Sequence, residues 1–504
     1  MASAVAALLL SCVVSACAVA PASRRLVLAI ESAPLTLDPR GAFNTDTAKV
    51  QQLIFDTLVT KGPDFDFAPG LAESWQPSPD WTEVTFQLRP GVRFHDGREL
   101  TSRDVVYTFG SLASGGFGKS SAFASVERVE AAGPLSVRFV SKRPNPGLLV
   151  DLVAVGVLPE GSGIESARSP VGTGPFRVAA PYAGEGDLSL ERFDGAFGGA
   201  PSFEGIDVRV MADASTRAAA IEAGEVDLSV NPGFAPDAYA RFDGAEGRAR
   251  VESSPGGGVQ FVVLNTERPG LADVRVRRAL ALSVDRELVV RKLLGGRARL
   301  ASSPLPPGHW AAADIEPLPF EPPLAKRLLA DIRSSTPLPS IELMTLPTTA
   351  DRDLAAVLQE SWRTVGVETT IVPVERAVFA ERLARGDFGA AIHRFTGGNQ
   401  FTTIFKGAFH SRSIHDREGT HGELNYARFA DAELDAMIDA ADLSSYRDVR
   451  ISVYAAIQWR IVDEVPWILL WHPDNVAVAG PRVGPFALDR SGDFFFVKSL
   501  TLHE

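Results

Sequence analysis

The chain has 504 residues and a formal net charge of −12 at pH 7, with 62 acidic and 50 basic side chains. A chain of this length buries a large core and is expected to divide into more than one lobe. The charge argues against nucleic acid as a partner, because binding a phosphate backbone requires basic patches.

The N-terminus has the pattern of a secretory signal. Val5 to Leu10 is apolar, and the chain carries no charge as far as Ala16. A stretch of this length suits the core of a signal peptide and is too short for a permanent membrane span. We therefore expect residues 1–16 to be a lipoprotein signal peptide, although Met1 to Ala4 lack the basic residue that usually opens one.

Cys17 is the expected site of lipid attachment. Val14-Ser15-Ala16-Cys17 matches a lipobox, in which small residues precede a cysteine that receives a diacylglycerol. The other cysteine, Cys12, lies inside the apolar core, with the bulky Leu10 two residues before it. Cleavage before Cys17 would leave no second thiol, so no disulfide is expected. Residues 17–25 would form a tether, and the alternative is a signal that is cleaved without lipid.

The first half of the chain alternates short strands with capped helices and tight turns. Val84, Phe86 and Leu88 alternate with polar residues, which is typical of a half-buried strand. Val259 to Leu264 is apolar except for Gln260, which favours a strand that is buried on both faces. Strands are predicted over 26–30, 84–89, 136–140, 188–193, 226–230 and 259–264, and helical spacing covers 50–59, 105–109 and 217–224.

The second half has the pattern of an α/β lobe. Asp273 and Asp285 stand where the caps of two helices are expected. Residues 303–323 are proline-rich and predict an irregular loop, in which Trp310 is free to line a pocket. Helices are predicted over 325–332 and 351–365 and strands over 340–345 and 368–373, and this alternation indicates a second lobe.

A series of short tracts connects the chain with a known family. The tracts are Leu37-Asp38-Pro39, Phe94-His95-Asp96-Gly97, Val171-Gly172-Thr173-Gly174-Pro175-Phe176, Gly224-Glu225-Val226-Asp227, Leu264-Asn265-Thr266, Arg275-Val276-Arg277, Val365-Gly366-Val367 and Glu464-Val465-Pro466. By these tracts the chain resembles the extracellular solute-binding proteins that serve peptide and nickel ABC transporters. Each tract alone is weak, and their shared order over nearly the whole mature chain makes the resemblance specific.

The resemblance implies an α/β, two-lobed periplasmic-binding-protein-like fold of type II with a third, inserted subdomain. Lobe I would comprise residues 26–54, 170–264 and 473–504, the inserted subdomain residues 55–169, and lobe II residues 265–472. The ligand would lie between two lobes that close on a hinge. His95 and Asp96 are expected to satisfy local backbone groups rather than to contact that ligand.

The resemblance also implies a function in transport, for example peptide transport. The protein would capture a small solute on the periplasmic or extracellular face of a membrane and deliver it to an ABC permease with two membrane subunits and cytoplasmic ATPases. It would be a monomer held by its lipid anchor, with no cofactor, no bound metal of its own and no enzymatic activity.

One tract departs from the peptide-binding members of the family. These members carry a tryptophan and then an aspartate, which pairs with the free amino end of the peptide, after a Gly-Asp-Phe turn. Here the turn is Gly386-Asp387-Phe388, but His393 stands near the tryptophan position and Thr396 near the aspartate position. An ammonium group that is buried without a counter-charge is costly, so free-amine peptides are poor candidates. Asp46 or Asp213 could replace the missing carboxylate from the opposite lobe.

The predicted ligand site follows from these tracts. Its residues are Phe43, Asn44 and Thr45 of the first lobe, Gln260 of the hinge strand, and His393, Arg394, Phe395 and Thr396 of the second lobe. Arg394 offers a planar fork that suits a carboxylate or a phosphate, and the alternative is that it faces solvent or pairs with a nearby aspartate. The predicted ligand is therefore peptide-like but modified or anionic, or a neutral polyhydroxylated compound.

Two other functions are alternatives for this sequence. The first is a receptor for nickel or another metal chelate. One polar cluster contains side chains that could bind a metal: His410, His415, His421, Asp416, Glu418 and Glu423. Its spacing matches no compact zinc pattern, so it is interpreted as a polar loop. The second is a secreted hydrolase, but the chain has no Gly-x-Ser-x-Gly motif, and Gly118-Lys119-Ser120 cannot end a P-loop because Ala113 replaces its first glycine.

Overall fold

The computed structural model describes residues 24–41, 44–62, 65–234, 236–242, 249–333, 338, 340–395, 401–416, 419, 422–443 and 447–503. Residues 1–16 and Cys17 lie outside the described residues, as do Phe43 and Thr396 of the predicted ligand site. Among the described helices, none is both long enough and apolar enough to cross a membrane.

The chain begins with β1 (Arg25–Ile30) and α1 (Thr45–Ile54). Helical spacing was predicted over 50–59, but α1 ends at Ile54, because Phe55 has an extended backbone and the β-branched Val59 already belongs to the next strand. The apolar residues after Ile54 are buried in either arrangement, so their spacing alone could not locate the end of the helix.

A mainly β region follows. Its elements are β2 (Val59–Lys61), β3 (Phe67–Pro69), β4 (Ala72–Pro77), β5 (Glu83–Leu88), α2 (Ser102–Ala113), β6 (Val126–Gly133), β7 (Ser136–Ser141) and α3 (Leu148–Leu152). Strands β2 and β3 form a separate hairpin, and the others form a sheet in the order β4-β5-β7-β6. The core of this region is aromatic, with Phe86, Phe109 and Phe139 fully buried against one another.

The chain then returns to the sheet of β1. The next elements are β8 (Phe176–Val178), β9 (Leu188–Arg192), β10 (Gly205–Val210), α4 (Ala214–Glu222), β11 (Leu228–Val230), α5 (Pro236–Phe242) and β12 (Arg250–Ser254). Helix α4 begins at Asp213, whose Oδ1 accepts a hydrogen bond from the N–H of Thr216 at 2.7 Å. This is a standard N-cap, and it places α4 directly before β11.

The remaining elements build the second lobe and return to the first. They are β13 (Val259–Leu264), α6 (Val274–Leu282), α7 (Arg286–Leu293), β14 (Ala298–Leu300), α8 (Pro322–Arg333), β15 (Ile341–Thr345), α9 (Thr349–Thr364), β16 (Thr369–Pro373), α10 (Arg376–Arg385), β17 (Ala390–Phe395), α11 (Phe401–Phe409), α12 (Ala432–Leu443), α13 (Arg447–Glu464), β18 (Trp467–Pro473) and β19 (Asn475–Ala479). Asp273 and Asp285 cap α6 and α7, as the sequence predicts.

Two central sheets organise the molecule. The first has seven strands in the order β12-β19-β11-β1-β10-β9-β8, and the second has six in the order β14-β18-β13-β17-β15-β16. Each sheet packs buried apolar side chains on both faces, which is the pattern of an α/β lobe.

Strand β13 lies in the sheet of the second lobe, whereas the predicted domain boundary placed it in the first lobe. The sequence assigned 170–264 to lobe I, but Val259–Leu264 pairs with β17 on one side and β18 on the other. The physical reason is its burial on both faces, since such a strand takes a central position in the sheet where it hydrogen-bonds two neighbours.

The two sheets are joined by two adjacent crossings. One runs from β12 to β13 through Pro255 and three glycines, and the other runs from β18 to β19 through Asp474. The crossings touch at Gly256, where a Cβ would lie only 2.2 Å from the carbonyl oxygen of Pro473. Glycine is therefore required for this close approach, and the paired crossings have the form of a hinge.

Candidate functional site

The predicted residues of the second lobe lie on two opposite faces of its sheet. Gln260 of β13 is directly opposite Arg394 of β17, and Phe261 is directly opposite His393. Because side chains alternate along a strand, Arg394 projects on one face while His393 and Phe395 project on the other. His393, Arg394 and Phe395 therefore cannot all line a ligand from one surface.

Gln260 is engaged with its own sheet. It is 8% exposed, and its Nε2 donates a hydrogen bond to the carbonyl oxygen of His393 at 2.9 Å. Arg394, by contrast, is exposed, and none of the described residues accepts a hydrogen bond from its guanidinium. A ligand contact by either side chain stays a prediction. Of the two, Arg394 is the one whose guanidinium N–H groups are available to a ligand.

His393 is a neutral aromatic surface rather than a cation. Burial, together with the neighbouring charge of Arg394, lowers the pKa of His393 to about 4. Its Nδ1 accepts a hydrogen bond from the N–H of Arg394 at 2.7 Å, so the proton of the neutral ring is on Nε2. The ring stacks between Phe261 and Tyr426, with centroids 5.6 and 5.7 Å away.

The predicted residues of the first lobe stand at the start of α1. Asn44 caps this helix by accepting from the N–H of Thr47 at 2.7 Å, and its Nδ2 donates to the Ser32 hydroxyl at 3.2 Å. Thr45 is exposed beside it. The cap explains why the Asn44 amide is held in place, and a ligand contact by Asn44 or Thr45 stays a prediction.

The two acidic residues considered as substitutes for the missing aspartate already have local partners. The Asp46 carboxylate accepts from the N–H of Ser32 at 2.8 Å and from its hydroxyl at 2.9 Å. Asp213 caps α4, and its hydrogen bonds with the backbone and side chain of Thr216 lower the pKa of Asp213. These bonds use Oδ2 of Asp46 and Oδ1 of Asp213, so pairing with a ligand amine would have to use the other oxygen of either carboxylate.

The signature tract has a structural role, as the sequence predicts. His95 spans two glycines of the tract 171–176: Nδ1 accepts from the N–H of Gly172 at 3.2 Å, and Nε2 lies 3.0 Å from the carbonyl oxygen of Gly174. Burial lowers the pKa of His95 to about 4, which keeps its ring neutral. Asp96 pairs with Arg98 at 2.8 Å.

The predicted polar cluster does not assemble into a metal site in the described part of the chain, where no three His, Cys, Asp or Glu side chains could hold an ion together. His410 lies 3.4 Å from Asp435 and 3.4 Å from Asp439, while His415 stacks on Tyr426 at 5.7 Å. His421 and Glu418 lie outside the described residues.

A contact between the two lobes was missed from sequence. The tip of the β2–β3 hairpin carries Phe65, whose ring stacks on His309 of the second lobe at 5.7 Å. Next to it, Asp66 forms an ion pair with Arg447, the first residue of α13. The Arg447 guanidinium lies 5.0 Å from the ring centre of Trp310, the residue that the sequence proposed for a pocket.

Two features of this contact are energetically unfavourable. Phe65 is 3% exposed and has a left-handed backbone with φ of 59°, which is rare for a bulky residue and costs about 1–3 kcal/mol. The Nδ1 atom of His309 accepts from the N–H of Ala311 at 3.0 Å, and its buried Nε2 has no hydrogen-bond partner. An orphan donor of this kind costs about 1–3 kcal/mol.

A continuous series of ring contacts joins the end of β17 with the hairpin tip. It runs from His393 through Phe261, Trp467, Phe409, Phe405, Tyr454, Trp310 and His309 to Phe65, with successive centroids 3.8 to 6.3 Å apart. The predicted ligand strand and the interlobe contact are therefore parts of one packed aromatic layer on the same face of the second sheet.

Two α/β lobes on a paired crossing define a binding protein of the periplasmic type, which holds its ligand between the lobes. Residues 66–412 match the middle region of the bacterial extracellular solute-binding proteins, family 5. Because this match spans more than half of the chain, the protein belongs to that family.

Relatives and solved structures agree with this assignment. Heme-binding protein A of Haemophilus influenzae is 27% identical over 87% of this chain and 86% of its own, and the dipeptide-binding protein of Escherichia coli is 25% identical over 97% and 96%. NikA from Brucella suis, solved with Fe(III)-EDTA, is similar with a TM-score of 0.83 at 25% identity, covering 95% of this chain and 100% of NikA. The oligopeptide-binding protein AppA from Bacillus subtilis, solved with a nonapeptide, is similar with a TM-score of 0.75 at 22% identity, covering 95% and 99%.

Proposed function

We propose that the protein is the extracytoplasmic receptor of an ABC importer, and that it holds one small solute between its lobes without converting it. This proposal is supported by the paired crossing at Gly256 and Asp474, which joins two separately packed sheets in the form of a hinge. The solute would be passed to the membrane subunits of a permease, with the receptor acting as a monomer.

The solute we propose is anionic or neutral rather than a peptide with a free amino end. Strand β17 offers Arg394 and a neutral His393 but no carboxylate over its described length. The nearest acidic substitutes by sequence, Asp46 and Asp213, are committed to Ser32 and to the start of α4. A buried ammonium would therefore find no counter-charge on β17, whereas a carboxylate or phosphate could be bound by the Arg394 fork.

A metal chelate is the second candidate. The similar protein NikA was solved with Fe(III)-EDTA, and a structurally similar NikZ from Campylobacter jejuni was solved with Ni(L-His). An anionic chelate would use the same guanidinium as an organic acid and needs no metal ligand from the protein. It therefore falls within the proposed charge class while differing in shape.

Thermal unfolding of the full chain with a panel of compounds tests the receptor proposal. The panel contains unmodified di- and tripeptides, N-acetylated peptides, opine-like conjugates, sugar phosphates and Fe(III)-EDTA. A true ligand at about 100 times its Kd should stabilise the folded state by about 2.7 kcal/mol. Recovery of the compound unchanged by mass spectrometry supports a receptor, and its conversion would show an enzyme. Tight binding of unmodified dipeptides would overturn the proposed charge class.

Arg394→Ala tests the role of the guanidinium. If Arg394 is the buried partner of an anionic compound from the panel, the change should weaken its binding by about 2–5 kcal/mol in calorimetry. Arg363→Ala is the matched control, because Arg363 is exposed on the same lobe and pairs with Glu360 of its own helix. Equal, small effects of both changes would remove Arg394 from the site.

Lipid attachment at Cys17 is proposed as the membrane anchor. The support is the sequence Val14 to Cys17, and the proposal places the receptor on the outer side of a membrane. Cys17→Ala should release the protein from the membrane fraction into the soluble fraction, while Cys12→Ala should not. Retention of the Cys17→Ala protein on the membrane would contradict the anchor.

A further inference from the structure

We propose that the tip of the β2–β3 hairpin is a latch that holds the two lobes closed. The latch consists of Phe65 and Asp66 on the hairpin and of His309, Trp310 and Arg447 on the second lobe. This inference rests on the proposed function, because a latch has a purpose only in a receptor that opens to take up and release its solute.

The hairpin is fixed to the first lobe beside its turn, at Lys61, which forms with Phe67 the last residue pair of the two strands. Lys61, at the end of β2, forms an ion pair with Asp493 at 2.6 Å. Asp493 in turn accepts a hydrogen bond from Gln52 of α1 at 2.9 Å. The hairpin therefore moves with α1 and the C-terminal segment, and its stack on His309 has to break when the lobes separate.

The surface that receives the tip is built from two elements of the second lobe. His309 and Trp310 belong to the proline-rich loop, Arg447 begins α13, and Arg450 lies one turn further with its guanidinium 5.3 Å from the Trp310 ring centre. Two guanidinium groups therefore lie near one tryptophan ring, a cation–π arrangement that keeps Arg447 near the Asp66 carboxylate.

The contact combines attraction with strain, which suits a latch that has to open. Stacking, the cation–π contacts and the ion pair favour closure. The left-handed backbone of Phe65 and the unpartnered Nε2 of His309 oppose it. Opening would let water reach the His309 donor and would let the Phe65 backbone relax, so part of the closing energy is returned on release.

A neighbouring contact holds the receiving loop in the same position. Gly308 has φ of 83°, and a Cβ at this residue would lie 2.7 Å from a guanidinium nitrogen of Arg490. Arg490 belongs to the C-terminal segment that also carries Asp493 and therefore to the hairpin's side of the cleft. The loop 308–310 is thus contacted from the first lobe on two sides.

Hydrogen exchange of the full chain without any added compound tests the latch. Phe65→Ala should speed the exchange of amides in residues 305–315 of the second lobe about fivefold, the factor expected from the loss of one buried aromatic contact. Phe67→Ala is the matched control: Phe67 lies on the same hairpin but packs within its own region, so its effect should stay within residues 59–77. Unchanged exchange over 305–315 in Phe65→Ala would overturn the latch.

A double-mutant cycle gives a second, independent readout. Asp66→Asn should speed exchange over 305–315 about two- to threefold and Arg447→Gln somewhat more, because Arg447 also contacts the Trp310 ring. The double variant should be no faster than Arg447→Gln alone, because both changes remove the same ion pair. Arg412→Gln is the control, since Arg412 pairs with Asp439 inside the second lobe. Fully multiplicative effects would overturn the pairing. Because no solute is present, these results are independent of whether the panel above yields a ligand.

Discussion

Two buried arginines occupy matching places in the two lobes and differ in one partner. Arg217 in α4 and Arg277 in α6 each follow a capping aspartate by four residues, and the Nη1 of each donates to the carbonyl oxygens five and six residues earlier. Arg277 also lies 3.5 Å from the carboxylate of Glu464, whereas the other Nη of Arg217 donates to the carbonyl oxygen of Pro232.

The same local arrangement, a buried arginine after a capping aspartate, therefore occurs once with a counter-charge and once without one. Both arginines fasten the loop that leads into their helix, because each donates to two carbonyl groups of that loop, which precede the helix. In the second lobe the arginine also fastens the end of α13 directly before β18, a strand that continues into the hinge. In the first lobe the Nε of Arg217 stays buried without a partner.

Replacing the arginine of the second lobe should have the largest effect. Arg277→Met removes the donors for three carbonyl groups and leaves Glu464 with the more distant Arg460, at 3.7 Å. Because three carbonyl groups lose a donor and a partly buried carboxylate loses its nearer cation, we expect a loss of about 3 kcal/mol in the free energy of unfolding, measured in urea. A loss below about 1 kcal/mol would show that the guanidinium is not needed there.

A double variant separates the cost of the Glu464 carboxylate from the cost of the carbonyl groups. If the uncompensated Glu464 carboxylate is a large part of the cost, Arg277→Met combined with Glu464→Gln should recover about 1 kcal/mol relative to Arg277→Met alone. Simple addition of the two single effects would instead assign the cost to the carbonyl groups.

Replacing the arginine of the first lobe should cost less. Arg217→Met leaves the carbonyl groups of Met211, Ala212 and Pro232 without this donor but strands no charge. Since Met211 and Ala212 lie near the surface, where water can replace the donor, we expect a loss of about 2 kcal/mol in the same urea experiment. A loss equal to that of Arg277→Met would contradict the importance of Glu464.

The sequence predicts these helix caps and their buried arginines only in part. Asp273 was identified as a cap, and the tract Arg275-Val276-Arg277 supported the family resemblance, because both are local patterns. That Arg277 meets Glu464 is a contact between residues 187 positions apart, and no periodicity encodes it. Likewise, strand β13 was predicted at its observed residues, but its membership of the second sheet was not, since pairing depends on distant strands.

The candidate site could also be predicted from the sequence only in part. The alternation of β17 was available in the sequence, and it would have placed His393 and Arg394 on opposite faces had the strand been read with a period of two. The contact of Phe65 with His309 could not be read in this way, because it joins a hairpin tip to an irregular loop. The sequence indicates a pocket role for Trp310 only because the residue stands in a proline-rich loop, where it is free to line one.

Two buried histidines differ in the same way, since His95 is enclosed within one lobe and His309 lies at the contact between the lobes. Burial lowers the pKa of both His95 and His309 to about 4. His95 is enclosed by Gly172, Gly174 and Phe193 of its own side, so lobe opening leaves it buried. His309 is covered by Phe65 from the other lobe, so its pKa should rise toward the ordinary 6.5 when the lobes open.

The smallest expected effect is therefore a dependence of lobe closure on pH. The closed state holds His309 neutral and the open state binds a proton more readily, so closure is fully favoured above about pH 6.5 and weakens as the pH falls toward 4. The charges that face His309 oppose each other: Asp66 raises its pKa and Arg447 lowers it. Between pH 7 and 5, amide exchange over residues 305–315, corrected for its chemical pH dependence, should rise by at most about tenfold per unit. His309→Gln should remove this slope while exchange around His95 stays flat in both proteins, and an unchanged slope in His309→Gln would assign the titration to another group.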